Sequence, residues 1–298
     1  MTMDSTPSLE SLRGEIDQID SELHDLLMRR TKVSRAIAKL KGGSATSFRP
    51  AREMQVLRRL LQRHSGSLPR AVLVRIWREI LSDSLAQQGG FSVAACVLEE
   101  GPSLIGVARD HFGVLTQVLE RQSPSRVFNS VAEGECAIGL LPPPAADSPD
   151  AWWRFLARGG DAVPRIIARL PLAAAASPSS DGQDALVIGL IDPEPSGEDH
   201  SYLVLEASAQ ISRSGARALI EKAELPVYDI IQWDSPTEGH LMLVEVADFV
   251  AREDERLARL REVSGHFNGC WMIGAYPLPF REPGLVDPRV AAKERERV

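Results

Sequence analysis

Apolar residues recur near the start of the chain in steps of three and four positions. The members of this stripe are Leu12, Ile16, Ile19, Leu23, Leu26, Val33, Ile37 and Leu40. Such alternating steps form a heptad-like repeat, which is typical of one long helix with a single apolar face. Gly42-Gly43 then interrupts the pattern, as glycine commonly does just after the last turn of a helix.

Two further helices are predicted before residue 90. Pro50 stands at the first position of the second helix, where proline is favoured, and the apolar pattern continues to about His64. The third helix is predicted to begin at Ser67-Leu68-Pro69 and to end at Gly89-Gly90. Residues 8–90 are therefore predicted to form an all-α unit of one long, one short and one medium helix.

The pattern changes beyond residue 91, where short apolar runs alternate with helical stretches. The predicted strands are Val93–Leu98, Ala137–Leu141, Leu186–Ile191, Tyr202–Glu206, Leu241–Val246 and Trp271–Tyr276. The spacing predicts an α/β or α+β region that divides near residue 197 into two subdomains, 91–196 and 197–280, with joints rich in proline, serine and aspartate. The remaining segment, 281–298, is predicted to be a charged tail.

Composition narrows the class of protein. Of the 298 residues, 44% are hydrophobic and 25% are charged, which is ordinary globular usage. No apolar run approaches the roughly 18 residues that cross a membrane, and Met1–Leu9 lacks the pattern of a signal peptide. Three widely spaced cysteines give neither a disulfide framework nor metal-ligand spacing. We expect a cytoplasmic protein with no membrane partner.

Basic residues are concentrated in the helical segment. Positions 1–90 hold 15 Lys and Arg against 10 Asp and Glu, a net charge of +5, and the other 208 residues carry −12, for a total of −7. This excess fits either a solvated helix face or an anionic ligand. Nucleic acid is disfavoured, because the segment has few aromatic residues and no nucleic-acid-binding motif. A small anionic ligand is the functional alternative that remains.

Two cations lie on the apolar face of the predicted long helix. Arg30 occupies the one position of the stripe that lacks an apolar residue. Lys41 follows eleven residues later, which at about 100° per residue places it within about 20° of the same face. A charge on such a face is costly unless an opposite charge neutralises it or the side chain extends to solvent. Arg30 and Lys41 are therefore candidate ligands for an anion.

Polar side chains on the other two helices extend this candidate site. Ser84 and Gln88 are four residues apart on the third helix, so they share a face. Arg52 and Glu53 occupy the first turn of the second helix, where a glutamate can also simply compensate the helix dipole. A cavity lined by these groups suits a ligand with two carboxylates and a hydroxyl group.

The segment with these residues resembles the all-helical chorismate mutase family, in the form found at the N-terminus of bifunctional chorismate mutase–prephenate dehydratases. The resemblance covers residues 8–90, with the motifs in the same order and at the same spacing. The matching positions are Leu12-Arg13, Ile16, Asp20, Leu26-Leu27, Arg30, Lys41, Arg49-Pro50-Ala51-Arg52-Glu53, Ile80-Leu81-Ser82-Asp83-Ser84 and Gln88.

The resemblance implies the intramolecular rearrangement of chorismate to prephenate, in the biosynthesis of phenylalanine and tyrosine. A reaction of this type needs no metal and no cofactor, so we expect neither. In the family's arrangement, Arg13 and Arg30 hold the two carboxylates of the substrate, and Ser84 assists one of them.

The resemblance also assigns the groups that act near the breaking bond and the ring. Lys41 and Gln88 are implied to donate hydrogen bonds to the ether oxygen of the breaking C–O bond. Glu53 is implied to bind the ring hydroxyl, together with the backbone amide near Arg49, and Arg52 supports this arrangement. The family often has a different side chain at the position of Arg49, so its backbone role is the one carried over.

The spacing of the two carboxylate ligands bears on the oligomeric state. Arg13 and Arg30 are 17 residues apart on one predicted helix, which is about 25 Å at 1.5 Å per residue. They cannot both hold one small molecule within a single chain. A partner chain must then supply Arg13, so we expect an intertwined homodimer with two shared sites, as the family has.

The rest of the chain resembles the prephenate dehydratase region and the regulatory ACT domain of the same bifunctional proteins. The dehydratase likeness rests on Ser123-Pro124-Ser125 and on the run Ala137–Pro142, and the ACT likeness on the pattern of 197–280. Dehydratases of this family carry a Thr-Arg motif, but no threonine of this chain precedes an arginine. The effector-binding motif becomes Trp233-Asp234-Ser235-Pro236 and loses its arginine. The departures predict a mutase whose C-terminal region lacks dehydratase activity.

Two alternatives stay open. The chain could be a bifunctional mutase–dehydratase whose second activity uses residues that the sequence does not identify. It could also be a non-catalytic amino-acid-sensing or scaffolding protein that keeps a mutase-like dimerisation module. The second alternative is disfavoured, because every polar position of the mutase site is present.

Overall fold

A computed structural model describes residues 7–40, 48–87, 91–97, 104–146, 151–157, 163–173, 183–235 and 239–280. Lys41, Gln88 and the predicted tail over 281–298 lie outside these ranges. In the described part of the chain, three helices precede a nine-stranded sheet. Within the same ranges, no helix has both the length and the apolar character needed to cross a bilayer.

The three predicted N-terminal helices are confirmed. Helix α1 spans Leu9–Leu40, α2 spans Pro50–Arg63 and α3 spans Arg70–Ala86. Pro50 is the first residue of α2, as predicted, and Pro69 immediately precedes α3. Helices α2 and α3 each bury several residues, whereas α1 buries none. The apolar stripe of α1 is therefore left uncovered in the single chain.

A mixed sheet and four helices make up the region that follows. The strands are β1 Ser92–Cys96, β2 Gln117–Arg121, β3 Ile138–Leu141, β4 Arg165–Leu170, β5 Ala185–Gly189, β6 Asp199–Ala207, β7 Val227–Ser235, β8 Gly239–Val246 and β9 Phe267–Pro277. The helices are α4 Leu104–Phe112, α5 Pro124–Ala132, α6 Arg213–Lys222 and α7 Glu255–Ser264, and one 3-10 turn spans Trp152–Leu156. The order across the sheet is β2-β1-β3-β5-β4-β9-β6-β8-β7. An α/β region thus follows the helical unit, as predicted.

The first half of the sheet is built on buried strands. β1 pairs in parallel with both β2 and β3, and α4 and α5 form the crossover connections. Every residue of β1, β3 and β5 is buried, which explains why these strands read as continuous apolar runs. Helix α5 begins at Pro124, and the Ser123 side chain accepts a hydrogen bond from the Arg126 amide as its N-cap. The Ser123-Pro124-Ser125 motif is thus a helix start.

The second half follows the order β6-α6-β7-β8-α7-β9, and β9 connects the two halves. β9 pairs antiparallel with β6 and meets β4 in parallel at Ile166 and Gly274. A Cβ atom on Gly274 would lie 2.2 Å from the Ile166 carbonyl oxygen, so this approach requires glycine. The sheet therefore continues across the predicted boundary at residue 197, which falls between β5 and β6.

The helical unit is joined to the sheet region through the C-terminal end of α4. Arg78 and Ser82 lie one turn apart on α3 and are both buried. The Arg78 guanidinium donates to the Asp110 carbonyl, and Ser82 Oγ donates to the His111 carbonyl at 2.8 Å. The last carbonyls of a helix lack partners within the helix, and a cation near them also interacts favourably with the helix dipole. Helix α3 therefore caps α4.

Candidate functional site

Arg30 and Ser84, two of the residues predicted to bind substrate, meet between α1 and α3. Arg30 Nη1 donates to Ser84 Oγ at 2.8 Å and to the Ile80 carbonyl at 3.3 Å. Ser84 Oγ also donates to the Ile80 carbonyl at 2.9 Å. Both bonds of Arg30 use Nη1, so among the described residues its Nε and Nη2 edge is left for a ligand. Such an edge fits a carboxylate.

The surroundings of Arg30 set its electrostatics. The side chain is half-buried, and this desolvation lowers the pKa of the Arg30 guanidinium, an effect that the nearby Asp83 carboxylate opposes. An arginine remains protonated despite such a shift. The site therefore presents a fixed positive charge in a partly dry environment, where an anion is bound more strongly than at an open surface.

A second contact between α1 and α3 was not predicted. Arg35 Nε donates to Gln87 Oε1 at 2.9 Å, little more than one turn beyond Arg30 on α1. Gln87 in turn donates to the Asp83 carboxylate. The apolar periodicity gave no signal for this pair, because both residues lie off the stripe. The two contacts together fix the rotation of α1 against α3 and so fix the direction of Arg30.

The other predicted residues are placed apart from this pair. Arg13 is exposed near the opposite end of α1, and Arg52 is exposed on α2. The Arg49 side chain forms an ion pair with Glu194, with Nε and Oε2 3.2 Å apart. The Arg49 backbone carbonyl accepts the Glu53 amide at 3.1 Å, the first hydrogen bond of α2. Lys41 and Gln88 lie outside the described residues.

Glu53 is buried against a residue that the sequence analysis did not single out. Its Oε2 lies 3.6 Å from Nε2 of His111, and both side chains are nearly inaccessible to solvent. The Arg78 guanidinium is close enough to interact electrostatically with both. Glu53 is thus a buried carboxylate with a histidine and an arginine around it. No periodicity or motif in the sequence connects positions 53 and 111.

Burial determines the protonation state of His111. Desolvation lowers the pKa of His111, the contact with Glu53 raises it, and the Arg78 charge lowers it further; the net change is downward. His111 is therefore neutral near pH 7. Phe48 and Phe112 pack edge-on against the imidazole, with ring centroids 5.7 and 4.6 Å away, so the ring is held in an apolar setting.

We expect this histidine to make the protein less stable in mild acid. Below about pH 6.5, the ordinary pKa of histidine, the unfolded chain binds a proton that the folded chain still excludes at position 111. The free energy of unfolding should therefore fall as the pH falls from about 6.5 toward the lower pKa of folded His111. Urea unfolding of the wild type and of His111→Gln, measured from pH 7.5 to 5, isolates this contribution. Identical pH slopes for the two proteins would contradict it.

The described residues contain no group of three His, Cys, Asp or Glu side chains placed to hold a metal ion. The chemistry near Arg30 is that of guanidinium, hydroxyl and amide groups. Such groups bind and orient an anionic ligand and stabilise negative charge.

Comparisons with known proteins address the helical segment most directly. Residues 12–89 match the family model of chorismate mutase type II. The chain is 31% identical over 140 residues to the bifunctional chorismate mutase/prephenate dehydratase of Pseudomonas aeruginosa, covering 45% of this chain and 38% of that enzyme. It is 38% identical over 61 residues to the intracellular chorismate mutase of Mycolicibacterium smegmatis, covering 20% of this chain and 59% of that one.

Among solved structures, the prephenate dehydratase of Streptococcus mutans aligns with 62% of this chain and 97% of its own, at a TM-score of 0.43 and 14% identity. A likeness at that level carries no argument about function. The sequence matches to the curated relatives span less than two thirds of those proteins' own lengths.

Proposed function

We propose, from the match of residues 12–89 to chorismate mutase type II, that this protein converts chorismate to prephenate. The observation that carries the proposal is the contact between Arg30 and Ser84, 2.8 Å long between residues 54 positions apart. Both residues are positions carried over from the family, and the remaining edge of the guanidinium is suited to a carboxylate. The contact supports a carboxylate-binding site between α1 and α3.

The reaction needs only the kinds of group that this segment offers. The rearrangement breaks one C–O bond and forms one C–C bond within a single molecule. No proton, electron or external nucleophile enters the balance. Catalysis therefore consists of holding the diacid in its reactive shape and stabilising the negative charge that grows on the ether oxygen. A planar guanidinium suits the first task, because it binds a carboxylate through two parallel hydrogen bonds.

The proposed roles follow the family. The substrate carboxylates bind two arginines with help from a serine, a lysine and a glutamine donate to the ether oxygen, and a glutamate binds the ring hydroxyl. The proposed site residues are Arg13, Arg30, Lys41, Arg49, Arg52, Glu53, Ser84 and Gln88. No cofactor takes part in the proposed mechanism.

We also propose that the site is shared between two chains of a homodimer. The stripe side chains of α1 from Leu12 to Ile37 are each 42–59% exposed, although they are large and apolar. Exposing an apolar row of this length to water is unfavourable in free energy unless another surface covers it. Its heptad-like spacing suits a second copy of α1. An antiparallel partner helix would bring the partner's Arg13 toward Arg30, which a single chain cannot do across about 25 Å.

For the C-terminal region we propose an ACT-like unit over 197–280 that follows a region without dehydratase activity. The order β6-α6-β7-β8-α7-β9 supports the first part, because it places two helices on a four-stranded antiparallel sheet. The missing Thr-Arg motif and the missing effector arginine support the second part. We also propose a cytoplasmic location.

One assay tests the proposed function against its alternatives. We expect the purified protein to consume chorismate and to accumulate prephenate, with no phenylpyruvate forming at neutral pH. Acid treatment of an aliquot converts prephenate to phenylpyruvate and so verifies that the product was made. Enzymatic formation of phenylpyruvate at neutral pH would favour the bifunctional reading. Failure to consume chorismate at all would favour the non-catalytic one.

A further inference from the structure

Helix α2, which carries Arg52 and Glu53, is held in place by the C-terminal region. Arg58, five residues beyond Glu53, donates to the Ser196 carbonyl at 2.7 Å and to Ser196 Oγ at 3.0 Å. Gln55 Nε2 donates to the Pro195 carbonyl at 3.3 Å. These bonds attach α2 to the segment that precedes β6.

The segment that receives α2 is itself ordered. The Asp199 carboxylate accepts from the Ser196 amide at 2.8 Å, from the Gly197 amide at 3.0 Å and from Ser196 Oγ at 2.7 Å. Both Ser196 and Asp199 are buried. Helix α2 therefore rests on a fixed turn, and its orientation depends on residues more than 130 positions away in the sequence.

The same helix meets the C-terminal region a second time at Glu53. There, Nε2 of the buried His111 lies 3.6 Å from Oε2 of the Glu53 carboxylate. The backbone of His111 is fixed by Ser82 and its ring by Phe48. The imidazole thus has little freedom to turn away.

The proton of this imidazole is placed by its surroundings. Nδ1 of His111 is buried and has no hydrogen-bond partner among the described residues. A neutral imidazole carries one N–H, and burying that donor without a partner is costly. The proton therefore belongs on Nε2, where it points at the Glu53 carboxylate. His111 thus directs a neutral N–H toward the Glu53 carboxylate, 3.6 Å away, and the buried Arg78 guanidinium nearby interacts favourably with the same carboxylate.

We propose that His111 is a positioning residue for Glu53, so that the α/β region completes the mutase site built by the three helices. His111 fixes one oxygen of the carboxylate and leaves the other to accept the ring hydroxyl of the substrate. This inference rests on the proposed function. It assigns a role in the mutase reaction to the α/β region, for which we propose no dehydratase activity.

A positioning role and a purely structural role for His111 predict changes in different kinetic constants. A hydrogen bond to the ring hydroxyl is present in both the bound substrate and the transition state, so misplacing Glu53 should mainly weaken binding. We expect His111→Leu, which keeps the bulk and removes the donor, to raise KM for chorismate about tenfold with kcat within about twofold. Partial unfolding would instead lower kcat, through the loss of active enzyme, and leave KM unchanged.

Four further variants make the test specific. His111→Gln can present an amide donor at the place of Nε2, and it should return KM to within about threefold of the wild type. In the Glu53→Gln background, His111→Leu should have no further effect on KM, because the group through which it acts is gone. Phe91→Leu loosens the packing against Phe112, one residue removed from His111 and Glu53, and it should leave KM unchanged.

The outcomes separate this proposal from the proposed function. An inactive wild type would overturn both. An active wild type, with a folded His111→Leu protein whose KM is unchanged, would overturn only the positioning role. A KM effect of His111→Leu that persists in the Glu53→Gln background would overturn it as well. The test can still be decided if His111→Leu alone does not fold. The His111→Gln variant keeps an amide N–H beside the Glu53 carboxylate, and the two variants with Glu53→Gln contain no carboxylate at that position. None of these three proteins therefore buries a carboxylate without a donor.

Discussion

Replacing Arg30 by alanine should lower kcat/KM for chorismate by two to three orders of magnitude while leaving the fold intact. Removing one preorganised donor from a catalytic site costs roughly a hundred- to a thousandfold in rate. Arg30 is proposed to hold a carboxylate in the reactive geometry, and its guanidinium is already aimed by Ser84 and the Ile80 carbonyl. The measurement is the initial rate of chorismate consumption over a range of concentrations.

Two companion variants separate the charge of Arg30 from its shape and its position. Arg30→Lys keeps a cation but loses the planar fork, so we expect a loss intermediate between the wild type and alanine. Arg29→Ala removes the adjacent arginine, whose side chain is exposed, and should keep nearly full activity. Circular dichroism and the elution volume on gel filtration show whether each variant is folded. Turnover like that of the wild type in folded Arg30→Ala would end the assignment of a carboxylate to this arginine.

The position of Arg30 could be predicted because one helix determines it. The heptad-like stripe of α1 sets which side chains share a face, and a cation in an otherwise apolar row stands out without any knowledge of the partner. Its contact with Ser84 depends in addition on the place at which α3 meets α1. The contact of Arg35 with Gln87 could not be predicted in this way, since both residues lie outside the stripe and their meeting depends on the exact rotation of the two helices.

The strands also fall into two groups, those that the local sequence predicts and those that depend on tertiary contacts or lie at the sheet edges. The fully buried strands β1, β3 and β5 were predicted because every residue in them is small or apolar. Strand β4 was missed, because arginines interrupt its apolar run. Arg165 Nη1 donates to the Met272 carbonyl at 2.8 Å, and Arg169 forms an ion pair with Asp184. These tertiary contacts compensate the two charges, which in the sequence alone favour a loop. Strands β2 and β7, at the two edges of the sheet, expose several polar residues and were missed too.

Glu53 shows where inference from a family reaches its limit. Sequence reasoning offered two roles for it, compensation of the helix dipole and a bond to the ring hydroxyl, and both refer to α2 alone. The structure adds His111, from a helix in another region of the chain. A histidine at position 111 has no motif around it, and the role that we propose for it depends on the packing of α3 on α4. Contacts between residues far apart in a chain leave no periodic pattern in its sequence.

The proposed homodimer predicts a recovery of activity that no single chain can give. If each site takes Arg13 from one chain and Arg30 from the other, Arg13→Ala and Arg30→Ala should each be inactive as pure proteins. In a mixed dimer, one site collects both substitutions and the other collects neither. An equal mixture that exchanges at random contains half mixed dimers, so activity should rise to about a quarter of the wild-type value.

The exchange must be shown independently for this result to be decisive. Labelling the two variants with a donor and an acceptor dye gives energy transfer only in mixed dimers, and its rise should follow the same time course as the activity. Arg13→Ala mixed with dye-labelled Arg13→Ala provides the control, since these dimers exchange but never contain an intact site. The exposed apolar stripe of α1 is the surface through which we propose that the chains pair, so exchange of chains at this helix is what restores activity. Complete exchange without any recovery of activity would mean that each chain builds its own site, and that Arg13, about 25 Å from Arg30, takes no part in it.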